Sequence, residues 1–168
     1  MASWVSPTIH VEGEDFSVTD NNTLANNEIF LYEAPYALYS AATNQSVANG
    51  TSQLILGATP VSNYGFSLSS NNAIVPLTGV YSVGASSGML ANSNIAPCGA
   101  AVYHNGGLAL NGSTAITNAS IGVSSSAAGL ILATAGDTIG LYIYNGIGGA
   151  ADTDAAATYL HIFFVGSQ

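Results

Sequence analysis

The stretch Thr158-Tyr159-Leu160-His161-Ile162-Phe163-Phe164-Val165 decides the reading of this chain. In an extended strand successive side chains point to opposite faces. One face here carries Tyr159, His161, Phe163 and Val165; the other carries Leu160, Ile162 and Phe164. A sheet with one solvated face alternates apolar with polar residues. This stretch does not, so both its faces should be covered. One can enter a sandwich core. The other needs a cover that the rest of the chain is too short to supply, and a neighbouring copy of the same chain is the economical one. Sequence leaves open which set faces the core. The run Leu130-Ile131-Leu132 has the same two-faced character.

Working back from this strand, residues 36–168 read as many short strands parted by turn signals, the pattern of a sandwich or jelly roll. The expected strands are Ala37–Ala41, Gln53–Leu56, Gly65–Leu68, Gly79–Val83, Ala100–His104, Ala115–Val123, Leu130–Ala133, Thr138–Tyr144 and Thr158–Val165. Between them lie Asn49-Gly50, Asn105-Gly106, Asn111-Gly112, Ala135-Gly136-Asp137 and Asn145-Gly146. Asn-Gly accepts positive φ without strain and so marks hairpins. Tyr142 and Tyr144 share one face of the expected strand Thr138–Tyr144, opposite Ile139, Leu141 and Ile143.

The ordered set Gly79-Val80-Tyr81, Asn105-Gly106, Gly129–Leu132, Gly136-Asp137-Thr138-Ile139-Gly140-Leu141 and Tyr159–Gly166 resembles the C1q/TNF-like jelly roll over roughly residues 36–166. The resemblance implies an all-β, ten-stranded sandwich that assembles as a trimer, with its last strand in the sheet facing the three-fold axis. Tyr159, His161, Phe163, Tyr142 and Tyr144 are the expected trimer-interface residues.

Residues 1–35 differ from the remainder. They hold six of the nine carboxylates, namely Glu12, Glu14, Asp15, Asp20, Glu28 and Glu33, and an Asn-rich run from Asp20 to Asn27. We read them as an extended arm ending near Pro35, and residues 36–168 as the jelly-roll domain. Ile9, Val11, Phe16, Ile29 and Phe30 could dock onto a partner while Glu12, Glu14 and Asp15 meet its basic residues.

The charge balance excludes whole classes of function. None of the 168 residues is Lys or Arg, the formal net charge is −9, and charged residues make up 5 % of the chain, against roughly 25 % in an average soluble protein. Gripping nucleic acid requires cations that displace counterions from phosphates, and phosphate clamps and anionic-membrane patches need them too. The expected partners therefore include neither nucleic acid nor membrane. The opening Met1-Ala2-Ser3-Trp4-Val5 lacks the charged and apolar regions of a signal peptide. A lone Cys98 cannot form an internal disulfide. Both features point to synthesis in a reducing cytoplasm.

Catalytic signatures are weak. Cys98 and His104 have no dyad spacing, no Gly-x-Ser-x-Gly elbow occurs, and Glu12, Glu14 and Asp15 read as a solvated cluster rather than a hydrolytic pair. Asp152 and Asp154, beside Gly148-Gly149, are candidate Ca²⁺ ligands, but the full calcium-loop pattern is missing and a solvated loop is the simpler reading. Asp137 belongs to a Gly-Asp turn. No cofactor is expected.

The Ala/Ser/Asn/Gly composition and polar arm are similar to those of tailed-bacteriophage virion proteins with this fold. The expectation is a non-enzymatic capsid decoration protein on the virion surface, made in the host cytoplasm, whose partners are two further copies of itself and the major capsid protein or another virion protein. The alternatives are a receptor- or glycan-binding tip of a head or tail fibre, with recognition on loops Ser86–Ala96 and Asn145–Asp154, and a polysaccharide-cleaving enzyme with interfacial carboxylates.

Overall fold

The two-faced terminal stretch lies in the longest strand among the described residues, β12 (Ala151–Gly166). The structure is a computed structural model, and it describes residues 22–23, 34–57, 60–92, 96–117 and 122–167. The β unit runs Pro35–Gly166. Before β12 come β1 (Tyr36–Ser40), β2 (Ser46–Val47), β3 (Gly50–Gln53), β4 (Ser62–Tyr64), β5 (Ser67–Ser69), β6 (Asn72–Ile74), β7 (Gly79–Met89), β8 (Pro97–His104), β9 (Gly107–Ile116), β10 (Val123–Ala133) and β11 (Thr138–Asn145).

The strands form two antiparallel sheets. The first has the order β10-β7-β12-β1-β4, with β2 paired to the start of β12. The second has the order β5-β6-β11-β8-β9, with β3 paired to the end of β11. Alternation sends one face of each sheet into a common core. Tyr39, Tyr81, Val83, Met89, Ile131, Leu160 and Ile162 come from the first sheet, and Cys98, Val102, Ile139, Leu141 and Ile143 from the second. Each large aliphatic buried there contributes about 1.5–3 kcal/mol. Leu160 and Ile162 are thus the core face of the last strand, and Tyr159, His161 and Phe163 its outer face.

Twelve strands occur among the described residues, where the resemblance implied ten. The surplus consists of short pairings, with β2 two residues long and β4, β5 and β6 three each. Four expected assignments differ from the structure. Asn111-Gly112 is not a hairpin turn; it lies inside β9, where the ladder to β8 shifts register between Gly99 and Ala101. A Cβ on Gly112 would stand 2.4 Å from the Ser126 carbonyl oxygen and 2.6 Å from that of Ala100. The glycine marks a bulge where backbones approach closely. The expected strand Ala115–Val123 is divided between the end of β9 and the start of β10. Ser86–Met89, read as loop, continues β7, and residues 151–154 open β12 rather than forming a loop.

Two hairpins use positive φ at both central residues. Asn105 and Gly106 (φ 49° and 77°) join β8 to β9, and Ser70 and Asn71 (φ 48° and 61°) join β5 to β6. The first follows from its Asn-Gly pair; the second lacks glycine and was not anticipated.

Candidate functional site

The outer face of the first sheet is built from the register of its strands. Leu130, Ser82, Phe163, Tyr36 and Tyr64 lie side by side across β10, β7, β12, β1 and β4. The adjoining row is Ala128, Gly84, His161, Leu38 and Ser62, and the next is Ser126, Ser86, Tyr159 and Ser40. None of these residues is a carboxylate. Leu130 is 66 % exposed and Phe163 50 %, with Leu132 and Val165 also exposed at the margin.

The small residues of β7 let the rings of β12 lie flat. A Cβ on Gly84 would fall 2.1 Å from His161 Nε2 and 2.3 Å from its Cε1, so the imidazole occupies the space that a side chain would take. Tyr159 stacks on His161 with centroids 6.1 Å apart, and Phe163 tilts against its other side at 5.7 Å. Tyr36 and Tyr64 stack at 6.5 Å. Burial lowers the His161 pKa below its ordinary 6.5, so the ring is neutral near pH 7. The result is an uncharged, largely aromatic and aliphatic surface.

Tyr142 and Tyr144 do not join it. They project from β11 on the outer face of the second sheet, the opposite side of the sandwich. The five residues expected at one interface therefore fall into two groups, Tyr159, His161 and Phe163 on one face and Tyr142 and Tyr144 on the other. Conversely, Leu38, Tyr36, Leu130 and Leu132 belong to the first face although none was named as an interface residue. The period-two alternation of Ser82, Gly84, Ser86 and Gly88 with Tyr81, Val83, Ala85 and Ser87 is the signal that would have found the flat β7 beneath them.

The remaining candidate residues lie apart from this face. Cys98 and His104 sit at opposite ends of β8, roughly 20 Å apart along an extended strand. Cys98 faces the core and burial raises its thiol pKa. His104 Nε2 lies 2.8 Å from Asp137 Oδ2. Asp137 also accepts hydrogen bonds from the Thr134 N–H and from the Asn105 side-chain amide, each at 2.8 Å. Its pKa is lowered, first by the Thr134 N–H, then by Asn105, with His104 helping against partial desolvation. This network ties the β10–β11 turn to the β8–β9 hairpin.

Asp152 and Asp154 share the outward side of β12 in an ordered ladder with β2 and β7. Asp154 Oδ1 accepts the Ala156 N–H at 3.0 Å. No group of three His, Cys, Asp or Glu is assembled among the described residues. Asp154 instead opens a three-residue bulge, since Asp154 pairs with Gly88 and Tyr159 with Ser86. Thr158 anchors the bulge, donating to the Asp154 carbonyl at 2.7 Å and accepting the Gly88 N–H at 3.2 Å. The expected attachment residues Ile9, Val11, Glu12, Glu14, Asp15, Phe16, Ile29 and Phe30 lie outside the described residues.

No family model matches the chain, and no curated protein matches it in sequence. Solved structures do match in shape. Eiger TNF from S. frugiperda aligns with a TM-score of 0.62 at 13 % identity, over 80 % of this chain and 95 % of that one. Murine APRIL at pH 5.0 aligns with a TM-score of 0.60 at 14 % identity, over 79 % and 99 %. At pH 8.0 murine APRIL gives 0.55 at 16 % identity, over 78 % and 98 %. At such identities the likeness concerns the fold, which is a TNF-like jelly roll.

Proposed function

We propose that this chain is a non-enzymatic structural protein that works as a homotrimer, and that it decorates the head of a tailed-phage virion, held there by residues 1–35. The observation that carries the oligomer is the outer face of the first sheet. Rows of Leu130, Phe163, Tyr36 and Tyr159, without a carboxylate among them, form a continuous apolar patch of the kind that marks an interaction site. A second copy bearing the same patch matches it in polarity, and closed symmetry buries all copies of it equally. The three-fold arrangement follows from the C1q/TNF-like resemblance.

With no Lys or Arg in the chain, no ordinary ion pair can form between copies, so apolar burial must hold them, at roughly 25 cal/mol per Å² before association costs. The arm supplies the acidic groups suited to a basic docking surface, and three arms per trimer would act multivalently. Equilibrium sedimentation tests the oligomer: a trimer at micromolar concentration is expected, and a monomer sinks the proposal. Deleting residues 1–33 should leave a folded trimer that no longer joins the particle. Normal occupancy by the truncated protein would place the anchor elsewhere. A copy number of a few per particle, rather than scores, would favour the fibre-tip alternative.

A further inference from the structure

The opposite face carries a second feature, distinct in chemistry from the first. On the outer side of the second sheet, Thr51, Tyr144, Gly99 and Thr114 lie in one row across β3, β11, β8 and β9. The glycine leaves a gap between the Tyr144 ring and Thr114. With Ala101 in the next position it floors a shallow groove of about 250 Å³. Tyr103, Leu108 and Asn111 also line it. Tyr103 is held by a parallel stack on Tyr142, with centroids 4.0 Å apart and planes 23° from parallel.

Gly99 is not demanded by the backbone. Its φ is not in the left-handed region, and a Cβ there would meet only ordinary contacts, the nearest being the Ser113 carbonyl oxygen at 3.5 Å. The gap is therefore a property of the surface, not a requirement of the fold. The hydroxyls of Thr51, Thr114, Tyr103 and Tyr144 and the amide of Asn111 make no hydrogen bond to another protein group among the described residues.

We infer that this groove is a binding site for a neutral oligosaccharide. A pyranose ring presents one face of C–H groups and an edge of hydroxyls. The first suits the negative π face of a tyrosine; the second suits unengaged hydroxyl and amide groups, which both donate and accept. The groove is slightly smaller than the ~300 Å³ at which drug-sized pockets begin, and it is open, which fits one or two sugar units of a longer chain crossing the sheet. Charge argues for neutral sugars. No charged side chain lines the groove and the chain has no Lys or Arg, so nothing there pairs with a sialylated or sulfated glycan or with the phosphate backbone of nucleic acid. Because the groove lies on the far side of the sandwich, covering the Phe163 face leaves it open.

The test uses the full-length protein and a panel of neutral hexasaccharides: maltohexaose, cellohexaose, a β-galactan and an N-acetylglucosamine oligomer. Sialyllactose and a proline-rich peptide are the counter-probes. Binding is followed by the ring resonances of ¹³C-labelled tyrosine. At least one neutral sugar should shift Tyr103 and Tyr144, and neither counter-probe should. Gly99→Val, which fills the floor, and Tyr144→Ala, which removes the platform, should each weaken that binding ~10-fold or more, with melting temperature and sedimentation as in wild type. Tyr144 is half-exposed, so Tyr144→Ala remains informative if Gly99→Val folds poorly. Failure of every neutral sugar to shift these rings overturns the assignment. So does binding that survives both variants, and so does displacement by the proline-rich peptide alone, which would mark an extended-peptide site. None of these outcomes bears on the oligomer, which sedimentation reports separately.

Discussion

Replacing Gly84 by Ala tests how the outer face of the first sheet is built. The new Cβ would lie 2.1, 2.3 and 3.0 Å from Nε2, Cε1 and Cδ2 of His161, against an optimum of about 3.5–4.0 Å. The ring must lift by more than about 1 Å. Rotating it out of its χ1 well costs about 0.5–1.5 kcal/mol; parting β7 from β12 instead incurs the ~1–3 kcal/mol of overpacking. Opposing this, alanine restricts the unfolded chain and returns about 0.4–1 kcal/mol at a position whose φ it can adopt, as it can at Gly84. The net expectation is a loss of ~0.5–2 kcal/mol. The assay is urea denaturation of wild type, Gly84→Ala, His161→Ala and the double variant at one fixed protein concentration, since association shifts apparent stability. In the His161→Ala background the clash is gone, so Gly84→Ala should become neutral or stabilising, a coupling of about 1–2 kcal/mol. Additive effects, with Gly84→Ala equally harmful in both backgrounds, would refute the packing argument.

Acidification should weaken both fold and assembly through His161. Its folded pKa lies below 6.5, so the unfolded chain takes up a proton first; stability is full above pH 6.5 and falls as pH drops toward the folded pKa. Denaturation from pH 8 to 5 should show this slope in wild type, and a slope that His161→Phe leaves untouched would assign the effect elsewhere. Asp137 acts lower, because its folded pKa lies below 3.8: its contribution is present above that value and is lost as pH falls through the folded pKa. In Asp137→Asn that acid-limb loss should shrink, as read by melting temperature between pH 5 and 2. The Tyr39 hydroxyl is buried without a partner among the described residues, so Tyr39→Phe should be neutral or stabilise by up to ~1–3 kcal/mol; a loss above ~1 kcal/mol would reveal a hidden acceptor. Leu130→Asp with Phe163→Asp should yield monomers by sedimentation, whereas raising salt until the Debye length is about 3 Å should leave the wild-type oligomer intact. Dissociation by salt alone would contradict an apolar interface.

Much of this fold is legible because its signals are local. Thr158–Val165 and Leu130–Ala133 show two apolar faces whatever lies beside them, and Asn105-Gly106 forms its turn from its own φ preferences. The errors arise where a glycine serves a neighbour rather than its own turn. Gly112 reads like a hairpin residue, yet its backbone is pressed between Ser126 and Ala100. Gly84 lies just past the expected strand end at Val83 and Gly88 within the expected loop Ser86–Ala96, yet β7 runs straight through both, because a ring from β12 covers one and the Thr158-anchored bulge covers the other. A partner across a sheet leaves no trace in the local pattern.

The two sites differ in the same way. Tyr159, His161 and Phe163 were visible as one face of one strand, but their assignment to the outside depended on Leu160 and Ile162 being drawn into the core by β11. Tyr142 and Tyr144 were equally visible as one face of one strand. Only the sheet order separates the groups, since β12 lies in one layer and β11 in the other. That separation changes what the aromatic residues can do. Five on one surface would make a single large interface; divided, they put the proposed self-association on the β12 face and the proposed sugar groove, with its gap at Gly99, on the β11 face. Under these two proposals, self-association through one sheet and sugar binding through the other, neither task needs a cation. That is consistent with a chain from which Lys and Arg are missing altogether.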